Sequence, residues 1–415
     1  MSRPDPDIDR ILTEAAGRFG TPAYVYLTDL IEERIAALEA AFGRWFRLSY
    51  AMKCNPNPAL LSWLKDRVPF IDVSSGGEFM LATGAGWNPA RASFTGPAKR
   101  EAELGRVIRD GLGELVIESL REARLADRIA GEAGRRQDVL IRIAPDRVPK
   151  GFGDQMAGRP SPFGIDVEEA PAALAEILSL PNLRVAGMHV YSGTQCLKPA
   201  AIVENWGIFI AIFRELCAAH DLRPDRLIFG SGLGIPYHPG DAALDLDEVA
   251  AAAAPGLEAL KADPRFAGTE LVLELGRYLV GPAGYFVTRV ISTKDSRGSR
   301  IAICDGGMNG HLAASGHFGM VLRRNYVMHR VGEDEGGEEK IDISGPLCTS
   351  IDKLGSNVAL PRVEAGDLIA IHASGAYGPT SSPVNFISHP TPREVLATGG
   401  QLTDATRIEG AGLRD

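Results

Sequence analysis

Short apolar runs alternate with amphipathic stretches over the first two thirds of the chain. The runs have the length and the β-branched or aromatic character of buried strands, whereas the stretches between them have helical periodicity. This alternation predicts parallel strands joined by crossover helices. The predicted strands lie near residues 47–52, 69–73, 92–95, 114–117, 138–143, 184–190, 226–229 and 270–274.

Helical patterns fill the gaps between these strands. They lie at 76–84, 98–110, 119–132, 166–179, 201–219 and 246–262. A further strand is predicted at 22–27, followed by a helix that begins at Asp29. Eight strands over this length predict a (β/α)8 barrel, and a doubly wound open sheet is the alternative architecture.

The pattern changes from about residue 280, where strands follow one another with little helix between them. They are predicted at 285–292, 300–304, 340–344 and 367–372, and the acidic, glycine-rich stretch 331–338 is predicted to be a solvated loop. A chain of 415 residues is too long for one ordinary core. We therefore expect a barrel domain over residues 28–278, and a β domain formed by residues 1–27 and 279–415.

Composition narrows the class of protein. The chain is 45% hydrophobic and 23% charged, which is typical of a globular protein, and its net charge of -9 argues against a nucleic-acid partner. Its five cysteines form no CxxC pair, so we expect a reducing compartment without a structural zinc site or disulfide framework. The N-terminus is polar and no apolar run is long enough to cross a bilayer, which predicts a cytoplasmic protein without a membrane partner.

Lys53 ends the first apolar strand of the predicted barrel, where barrel enzymes build their active sites. Burial lowers the pKa of a lysine and makes its amine a nucleophile. The standard use of such an amine is covalent attachment to a carbonyl, including that of pyridoxal phosphate (PLP). Taken alone, the stretch favours the other interpretation, a lysine that caps a strand and extends to water.

Other predicted strand ends carry groups that suit the same cofactor. The glycines of Gly230–Gly234 let backbone N–H groups approach a phosphate, and Arg277 offers a planar fork for it. Glu274 is placed to accept a hydrogen bond from a protonated ring nitrogen, and His189 offers a flat ring for stacking. A plain turn and a core histidine are the alternatives for the glycine run and for His189. Together with Lys53, the set predicts a PLP site.

At these residues the chain resembles the fold type III PLP-dependent decarboxylases, the family of the diaminopimelate, ornithine and arginine decarboxylases. The resemblance runs along nearly the whole chain, with two mild departures at Ser231 and Leu275. Its motifs are Tyr50-Ala-Met-Lys53-Cys-Asn55, Asp72-Val-Ser-Ser-Gly-Gly-Glu78, His189-Val-Tyr-Ser192-Gly-Thr, Gly230-Ser-Gly-Leu-Gly234, Glu274-Leu-Gly-Arg277, Asp305-Gly-Gly-Met308, Gly345-Pro-Leu-Cys348 and Gly375-Ala-Tyr377-Gly.

The resemblance implies a role for each of these positions. It implies that Lys53 binds PLP covalently, that His189 stacks on its ring and that Glu274 pairs with the ring nitrogen. It further implies a homodimer with shared active sites, in which Cys348 reaches the partner's site and supplies the proton that replaces carbon dioxide. No metal is implied. The remaining cofactor-binding residues are Asp72 and, around the phosphate, Ser192, Gly232, Gly234, Arg277 and Tyr377.

The residue after the catalytic cysteine is acidic in ornithine and diaminopimelate decarboxylases, where it binds the distal ammonium of the substrate. Here that residue is Thr349, so the distal amine loses its usual partner. Arg323, Arg324 and Tyr326 lie where the family places substrate-binding groups, and basic residues there suit a carboxylate or phosphate. The alternative is that one or both arginines are solvated.

Local stretches resemble two branches of secondary metabolism. His189–Gln195, Gly345–Thr349 and 324–328 are similar to the branch that decarboxylates a glutamyl group on an acyl carrier protein in butirosin biosynthesis. The stretches 50–53 and 156–164 are similar to the branch that decarboxylates citryl-diaminopropionate in siderophore assembly. Both imply an amino acid extended by an acylated, carboxylate-bearing or carrier-linked arm. The alternatives are a meso-diaminopimelate decarboxylase, a racemase, which Glu274 disfavours, and an inactive regulatory homologue, which would lack cofactor groups.

Overall fold

The computed structural model describes residues 6–318, 320, 323–332 and 337–407. The chain divides into two compact units. The barrel unit comprises Ile35–Ile235 and Ala243–Gly276, and the sheet unit comprises the rest of the described chain. Part of the predicted acidic loop, residues 333–336, lies outside the described residues.

Eight parallel strands form the barrel unit, and pairing of the fourth strand with the fifth closes the cylinder. The prediction of a (β/α)8 barrel is therefore confirmed, and the open sheet was the wrong alternative. The barrel strands, numbered first to eighth, are Phe46–Ala51, Phe70–Val73, Ala92–Phe94, Glu114–Ile117, Gln137–Ala144, Leu183–Val190, Arg226–Gly230 and Glu270–Leu275.

Helices connect successive barrel strands, and three pairs of residues form additional short strands. The apolar interior includes Val116, Leu140, Ile228 and Val272, which come from four different strands and are all buried. The helices are Thr28–Phe42, which leads into the first strand, Pro58–Leu64, Gly76–Gly84, Glu101–Arg109, Leu120–Glu132, Ala170–Leu178, Pro199–Ala219 and Leu246–Ala262. The short strands are Asp154–Gln155, Ile165–Asp166 and Gly193–Thr194, and 3-10 turns lie at Met52–Cys54 and Pro89–Arg91.

The sheet unit holds a nine-stranded mixed sheet. Its strand Ala23–Leu27 runs antiparallel to Gly284–Ser296 and parallel to Arg393–Thr398. The other strands are Ser299–Cys304, Met328–Arg330, Glu338–Ser344, Lys353–Pro361, Leu368–Ile371 and Gln401–Asp404, and the helical pieces are Pro6–Phe19, Arg277–Val280, Pro379–Ser381 and Phe386–Ser388.

The N-terminal helix Pro6–Phe19 is an element that the sequence did not predict. Its buried residues Leu12, Ala15 and Ala16 pack into a cluster with strand residues of the sheet unit. Asp9, also buried, receives a hydrogen bond from the Gly332 N–H at 3.1 Å. An amphipathic helix thus begins within a stretch whose first residues look merely polar and acidic. Among the described residues, no helix is both long and apolar enough to cross a membrane.

Candidate active site

Lys53 lies in the 3-10 turn Met52–Cys54, directly after the first barrel strand. Its neighbours Met52 and Cys54 are buried, whereas the Lys53 side chain is exposed, with Nζ 5.5 Å from the centre of the Tyr191 ring. Successive residues of a 3-10 turn point about 120° apart, which separates the lysine from its buried neighbours. Lys53 lies at the predicted strand end. The sequence argument assumed a buried side chain, however, and the side chain is exposed.

Hydrogen bonds fix the turn that carries Lys53. The Tyr50 hydroxyl donates to the Asn55 carbonyl at 2.8 Å, and the Asn55 N–H donates to the Met52 carbonyl at 3.0 Å. Asn57 then caps the next helix, because its Oδ1 accepts from the Ala59 N–H at 3.0 Å. The turn residues of this motif are therefore those that hold the lysine at the end of the strand.

Two buried carboxyl groups lie at the ends of the second and eighth strands. Asp72 is 1% exposed and accepts hydrogen bonds from the Ser93 hydroxyl, at 2.8 Å, and from the Thr95 hydroxyl. Burial, helped by the negative charge of Glu274, raises the pKa of Asp72 well above its usual range, although its hydrogen bonds and Lys53 act in the opposite direction. Its surroundings therefore favour the protonated form of Asp72 more than those of an ordinary aspartate do.

Glu274 is equally buried but has the opposite pKa shift. Burial raises the pKa of Glu274. A 3.1 Å hydrogen bond to Nε2 of His189 and the positive charges of His189, Lys53 and Arg142 lower this pKa by a larger amount. The net pKa therefore lies below the ordinary value. The surroundings consequently favour the charged form of Glu274 and the neutral form of Asp72. Two neighbouring carboxyl groups in different environments commonly separate their pKa values in this way.

A second buried ion pair stands behind Glu274. Arg142, on the fifth strand, donates to Glu118 Oε2 at 3.0 Å, and both side chains are at most 5% exposed. Glu118 also accepts the N–H groups of Gly96, at 2.6 Å, and Gly164, at 3.0 Å. The carboxylate therefore has several partners, as a buried charge requires, and it holds the Arg142 guanidinium at the same end of the barrel as Glu274.

The glycine run after the seventh strand forms a tight cradle with two neighbouring loops. Gly232 has φ +69°, and a Cβ there would lie 2.5 Å from Cε1 of Phe152. The Cys196 N–H donates to the Gly232 carbonyl at 3.0 Å, and the Gly234 N–H donates to the Cys196 carbonyl at 2.9 Å. In the part of the chain that the structure describes, the N–H groups of Gly232 and Leu233 find no acceptor.

Ser192 belongs to this cradle, because its loop carries Gly193, whose carbonyl lies 3.4 Å from where a Cβ of Gly232 would be. The Ser192 hydroxyl donates to Oδ1 of Asn205 at 2.6 Å, and both side chains are buried. Gln195 clamps the end of the glycine run with two hydrogen bonds to the backbone of Ile235, at 2.6 and 3.1 Å. The backbone at the end of the glycine run is thus held by hydrogen bonds without any bound anion.

In the sheet unit, Arg277 and three tyrosines form a second cluster. Nη1 of Arg277 donates to the Tyr237 hydroxyl at 2.7 Å, and its guanidinium carbon lies 4.6 Å from the centre of the Tyr377 ring. The ring of Tyr326 lies 4.8 Å from that of Tyr237, and its burial raises its pKa well above the usual range. Tyr326 therefore stays a neutral phenol.

Cys348 lies on an exposed turn of the same unit. The buried carboxylate of Asp352 holds that turn, because it accepts the Leu347 N–H at 2.8 Å and the Met308 N–H at 2.7 Å. A Cβ at Gly345 would lie 2.3 Å from Cα of Gly307, so the two turns touch through glycines. Thr349 follows Cys348 and donates its N–H to the Leu347 carbonyl at 2.8 Å.

The two candidate substrate arginines have different surroundings. Arg324 forms an ion pair with Asp241, Nη2 to Oδ1 2.8 Å. Arg323 instead donates to the Lys353 carbonyl at 2.5 Å, and among the described residues no carboxylate pairs with it. Partial burial, only partly offset by the charge of Asp342, lowers the pKa of Arg323. Arg323 is therefore the cation that an anionic ligand would stabilise more.

The barrel residues fit PLP on observations of this chain alone. The cradle offers two N–H groups without acceptors to a phosphate, and Nδ1 of the buried His189 has no hydrogen-bond partner among the described residues. An ionised Glu274 suits a protonated pyridine nitrogen. The structure thus gathers Lys53, Asp72, His189, Ser192, Gly232, Gly234 and Glu274 in the barrel unit, and Arg277, Arg323, Arg324, Tyr326, Cys348, Thr349 and Tyr377 in the sheet unit.

Several residues of the site were not singled out in the sequence. Arg142 had a signal, since an arginine interrupts an otherwise apolar strand at Val139-Leu-Ile-Arg-Ile143. Asn205 and Tyr237 had none, because a helical asparagine and a loop tyrosine are ordinary in sequence. Among the described residues, no group of three or more histidines, cysteines or acidic residues is placed to hold a metal ion.

Comparison with known proteins agrees with this geometry. Residues 28–281 match the family model of the pyridoxal-dependent decarboxylases, pyridoxal binding domain. The chain is 35% identical to an L-glutamyl-[BtrI acyl-carrier protein] decarboxylase of Niallia circulans, over 94% of this chain and 91% of the relative. It is 32% identical to a diaminopimelate decarboxylase of Aquifex aeolicus, over 94% and 90%.

Comparison of the fold with solved structures also finds decarboxylases. The crystal structure of diaminopimelate decarboxylase from Helicobacter pylori complexed with L-lysine superimposes with a TM-score of 0.85 at 26% identity, covering 95% of this chain and 96% of that one. Sequence and fold therefore agree over nearly the full length of the chain.

The opposite pKa shifts of the two carboxyl groups predict opposite pH dependences of stability in the cofactor-free protein. Glu274, with a lowered pKa, stabilises the fold above its unfolded value of 4.5, and this contribution is lost as the pH falls through the folded pKa. Glu274→Gln should therefore destabilise the protein at neutral pH, by about 1–3 kcal/mol, and the difference should disappear in acid. Urea unfolding at a series of pH values measures it.

Asp72→Asn is the matched control, and its sign is reversed. A raised pKa contributes stability that is present below the unfolded value of 3.8 and lost as the pH rises through the folded pKa. The free energy of unfolding of Asp72→Asn should therefore equal that of the wild type in acid. As the pH rises, the variant should become the more stable of the two. Parallel profiles for the two variants would contradict the assignment of opposite protonation states.

Proposed function

The chain belongs to the fold type III PLP-dependent decarboxylases, and from that premise we propose that it decarboxylates an amino acid with an extended, anionic or carrier-linked distal end. A glutamyl group carried on an acyl carrier protein, the substrate that the name of the Niallia circulans relative gives, is one member of this class. Biosynthesis of a secondary metabolite or siderophore is the setting that such a substrate implies.

PLP, when bound, supplies an electron sink for the electron pair that remains when the carboxyl group leaves as carbon dioxide. We assign covalent attachment of the cofactor to Lys53. Glu274, whose pKa is lowered, would pair with the protonated pyridine nitrogen, and the raised pKa of Asp72 disfavours a second negative charge there. His189 orients Glu274 through their hydrogen bond and stacks on the ring.

We assign the binding of the phosphate to donors of the cradle after the seventh barrel strand. They are the N–H groups of the Gly232–Gly234 cradle and the Ser192 hydroxyl. In the sheet unit, the Tyr237 hydroxyl accepts a hydrogen bond from Arg277, and the Tyr377 ring lies beside its guanidinium. These two contacts orient the guanidinium. Buried or partly buried donors that are already fixed lose little entropy when they bind an anion.

We assign to Cys348 the donation of a proton to the carbon that has lost its carboxyl group, in the active site of a partner subunit. The thiol is exposed on a turn that Asp352 fixes, and the apolar side chain of Ile351, 48% exposed, lies three residues away. Phe318, 45% exposed, packs near Tyr377. Exposed apolar side chains of this kind suit a surface that a second copy of the chain covers.

The observation that supports the substrate class is the unpaired cation at Arg323. Its guanidinium is partly desolvated and lacks a carboxylate partner among the described residues, whereas Arg324 already has Asp241. The backbone carbonyl that Arg323 contacts belongs to Lys353, the first residue of the strand that follows the Cys348 turn. We therefore assign the anionic end of the substrate to Arg323, with Arg324, Tyr326 and Thr349 beside it.

A meso-diaminopimelate decarboxylase is the second candidate. Relatives with that name are 30–33% identical to the chain, and meso-diaminopimelate also has a distal carboxylate that Arg323 could bind. Its distal ammonium, however, needs an acceptor with negative charge, and Thr349 offers only a hydroxyl. A site with an uncompensated buried charge loses affinity by large factors.

The dimer proposal predicts complementation. Lys53→Ala and Cys348→Ala should each be almost inactive as pure dimers, because each site then lacks one of its two essential groups. Mixed dimers should regain activity, up to a quarter of the sites in the mixture, since one site of each mixed dimer has both groups intact. The measurement is decarboxylase activity after subunit exchange, with exchange itself followed by two affinity tags. Exchange without recovery of activity would contradict the shared site.

The substrate proposal predicts a rank order of kcat/KM. Amino acids with an acylated, carboxylate-bearing or carrier-linked end should exceed free ornithine, lysine and meso-diaminopimelate. Arg323→Ala should lower kcat/KM for the extended substrates by about 10- to 100-fold, the usual worth of a hydrogen bond to a charged group, whereas Arg324→Ala should lower it less.

A panel assay of carbon dioxide release tests this order with both arginine variants. The control is kcat/KM of the two arginine variants on lysine. Lysine has no distal anion, so the two variants should have the same kcat/KM on it. The highest kcat/KM on meso-diaminopimelate would favour the second candidate instead.

A further inference from the structure

Asn205 is a buried polar residue on the helix Pro199–Ala219 that no assigned step uses. Its side chain is 1% exposed, and its Oδ1 accepts the Ser192 hydroxyl at 2.6 Å. Its Nδ2 is buried and has no acceptor in the part of the chain that the structure describes. A buried N–H group without a partner is costly, so its retention calls for a reason.

The Ser192–Asn205 pair has more polar hydrogens than the surrounding chain can accept. An amide can present either its oxygen or its nitrogen to Ser192, because a half-turn about its last side-chain bond exchanges the two. With the oxygen facing Ser192, the hydroxyl proton is used within the pair. With the nitrogen facing Ser192, Nδ2 donates to Oγ and the hydroxyl proton becomes available to a third group.

The other donors of the cradle indicate that this third group is an anion. The loop of Ser192 meets Gly232, and the N–H groups of Gly232 and Leu233 also lack acceptors among the described residues. Surplus donors from two loops and one side chain, without a carboxylate among them, match a phosphate group. The phosphate of the cofactor is the ligand of this chemistry that the family requires.

We propose that Asn205 is a positioning residue of the cofactor phosphate site, which acts by turning the Ser192 hydroxyl toward the phosphate. The proposal rests on the role assigned above to Ser192. When the anion binds, the amide donates to Oγ of Ser192 and fixes its rotamer, so that the hydroxyl proton points to a phosphate oxygen. Asn205 itself does not touch the cofactor.

The test compares the binding of PLP with that of pyridoxal, which has the same ring and aldehyde but no phosphate. Dissociation constants are measured on cofactor-free protein, from the absorbance of the lysine-bound cofactor, without any substrate. Asn205→Leu removes the amide but keeps the volume. The ratio of the pyridoxal and PLP dissociation constants should fall by about tenfold or more, and pyridoxal binding should stay within about twofold of the wild type.

A matched control lies next to it on the same helix. Trp206 also has a buried Nε1 without a partner among the described residues, but its ring packs against Phe42 and Phe46 instead of Ser192. Trp206→Phe should therefore leave the ratio of the two dissociation constants unchanged. If Asn205→Leu does not fold, Asn205→Asp takes its place, and its added negative charge should weaken PLP binding far more than pyridoxal binding.

Ser192→Ala and the double variant decide how Asn205 acts. Ser192→Ala should lower the ratio, and adding Asn205→Leu should lower it no further, because the amide works only through the serine. Equal effects of Asn205→Leu on both ligands, or additive effects in the double variant, would overturn the proposal. If Ser192→Ala itself leaves the ratio unchanged, the assigned role of Ser192 fails, independently of the substrate class proposed above.

Discussion

The ionised, fully buried carboxylate of Glu274 is the constraint on which the barrel site depends. A charge in this position is unfavourable unless positive and hydrogen-bonding groups surround it. His189 supplies the direct hydrogen bond, and Lys53 and Arg142 supply charge from two other strands. Each of these residues lowers the pKa of Glu274, so the loss of any of them would favour the protonated carboxyl group.

Asp72 completes this arrangement, because its raised pKa favours the neutral form. Repulsion between the two carboxyl groups would oppose the ionisation of both, and this repulsion is one cause of the raised pKa of Asp72. The two hydroxyl donors of Ser93 and Thr95 satisfy Asp72 without forcing it to ionise. Arg142 forms an ion pair with Glu118, and its charge also lowers the pKa of Glu274. These interactions link residues at the ends of the fourth, fifth and eighth strands.

Local pattern was sufficient for the barrel and insufficient for this network. Strand positions such as 114–117 follow from short apolar runs, and the structure places Glu114–Ile117 at the same residues. The helix Pro6–Phe19 was missed because its apolar stripe is short and its first turn is acidic. The cofactor residues carried motifs, but the pairing of His189 with Glu274 joins residues 85 positions apart, and only the closed barrel brings them together.

Burial was the property that the sequence predicted least well. Lys53 was expected to be buried because it ends an apolar strand, yet the 3-10 turn exposes its side chain while it buries Met52 and Cys54. Arg323 and Arg324 are adjacent in sequence and look equivalent, but only Arg324 finds a carboxylate among the described residues, at Asp241. Such differences depend on partners that lie far away along the chain, so they follow from the fold and not from the motif.

Neutron diffraction from deuterated crystals of the cofactor-free protein at neutral pH tests the central claim most directly, because it locates deuterons on individual carboxyl oxygens. The account predicts a deuteron on Asp72 and none on Glu274, with a deuteron on Nε2 of His189 that points to Glu274. A deuteron on Glu274 with a bare carboxylate at Asp72 would contradict it.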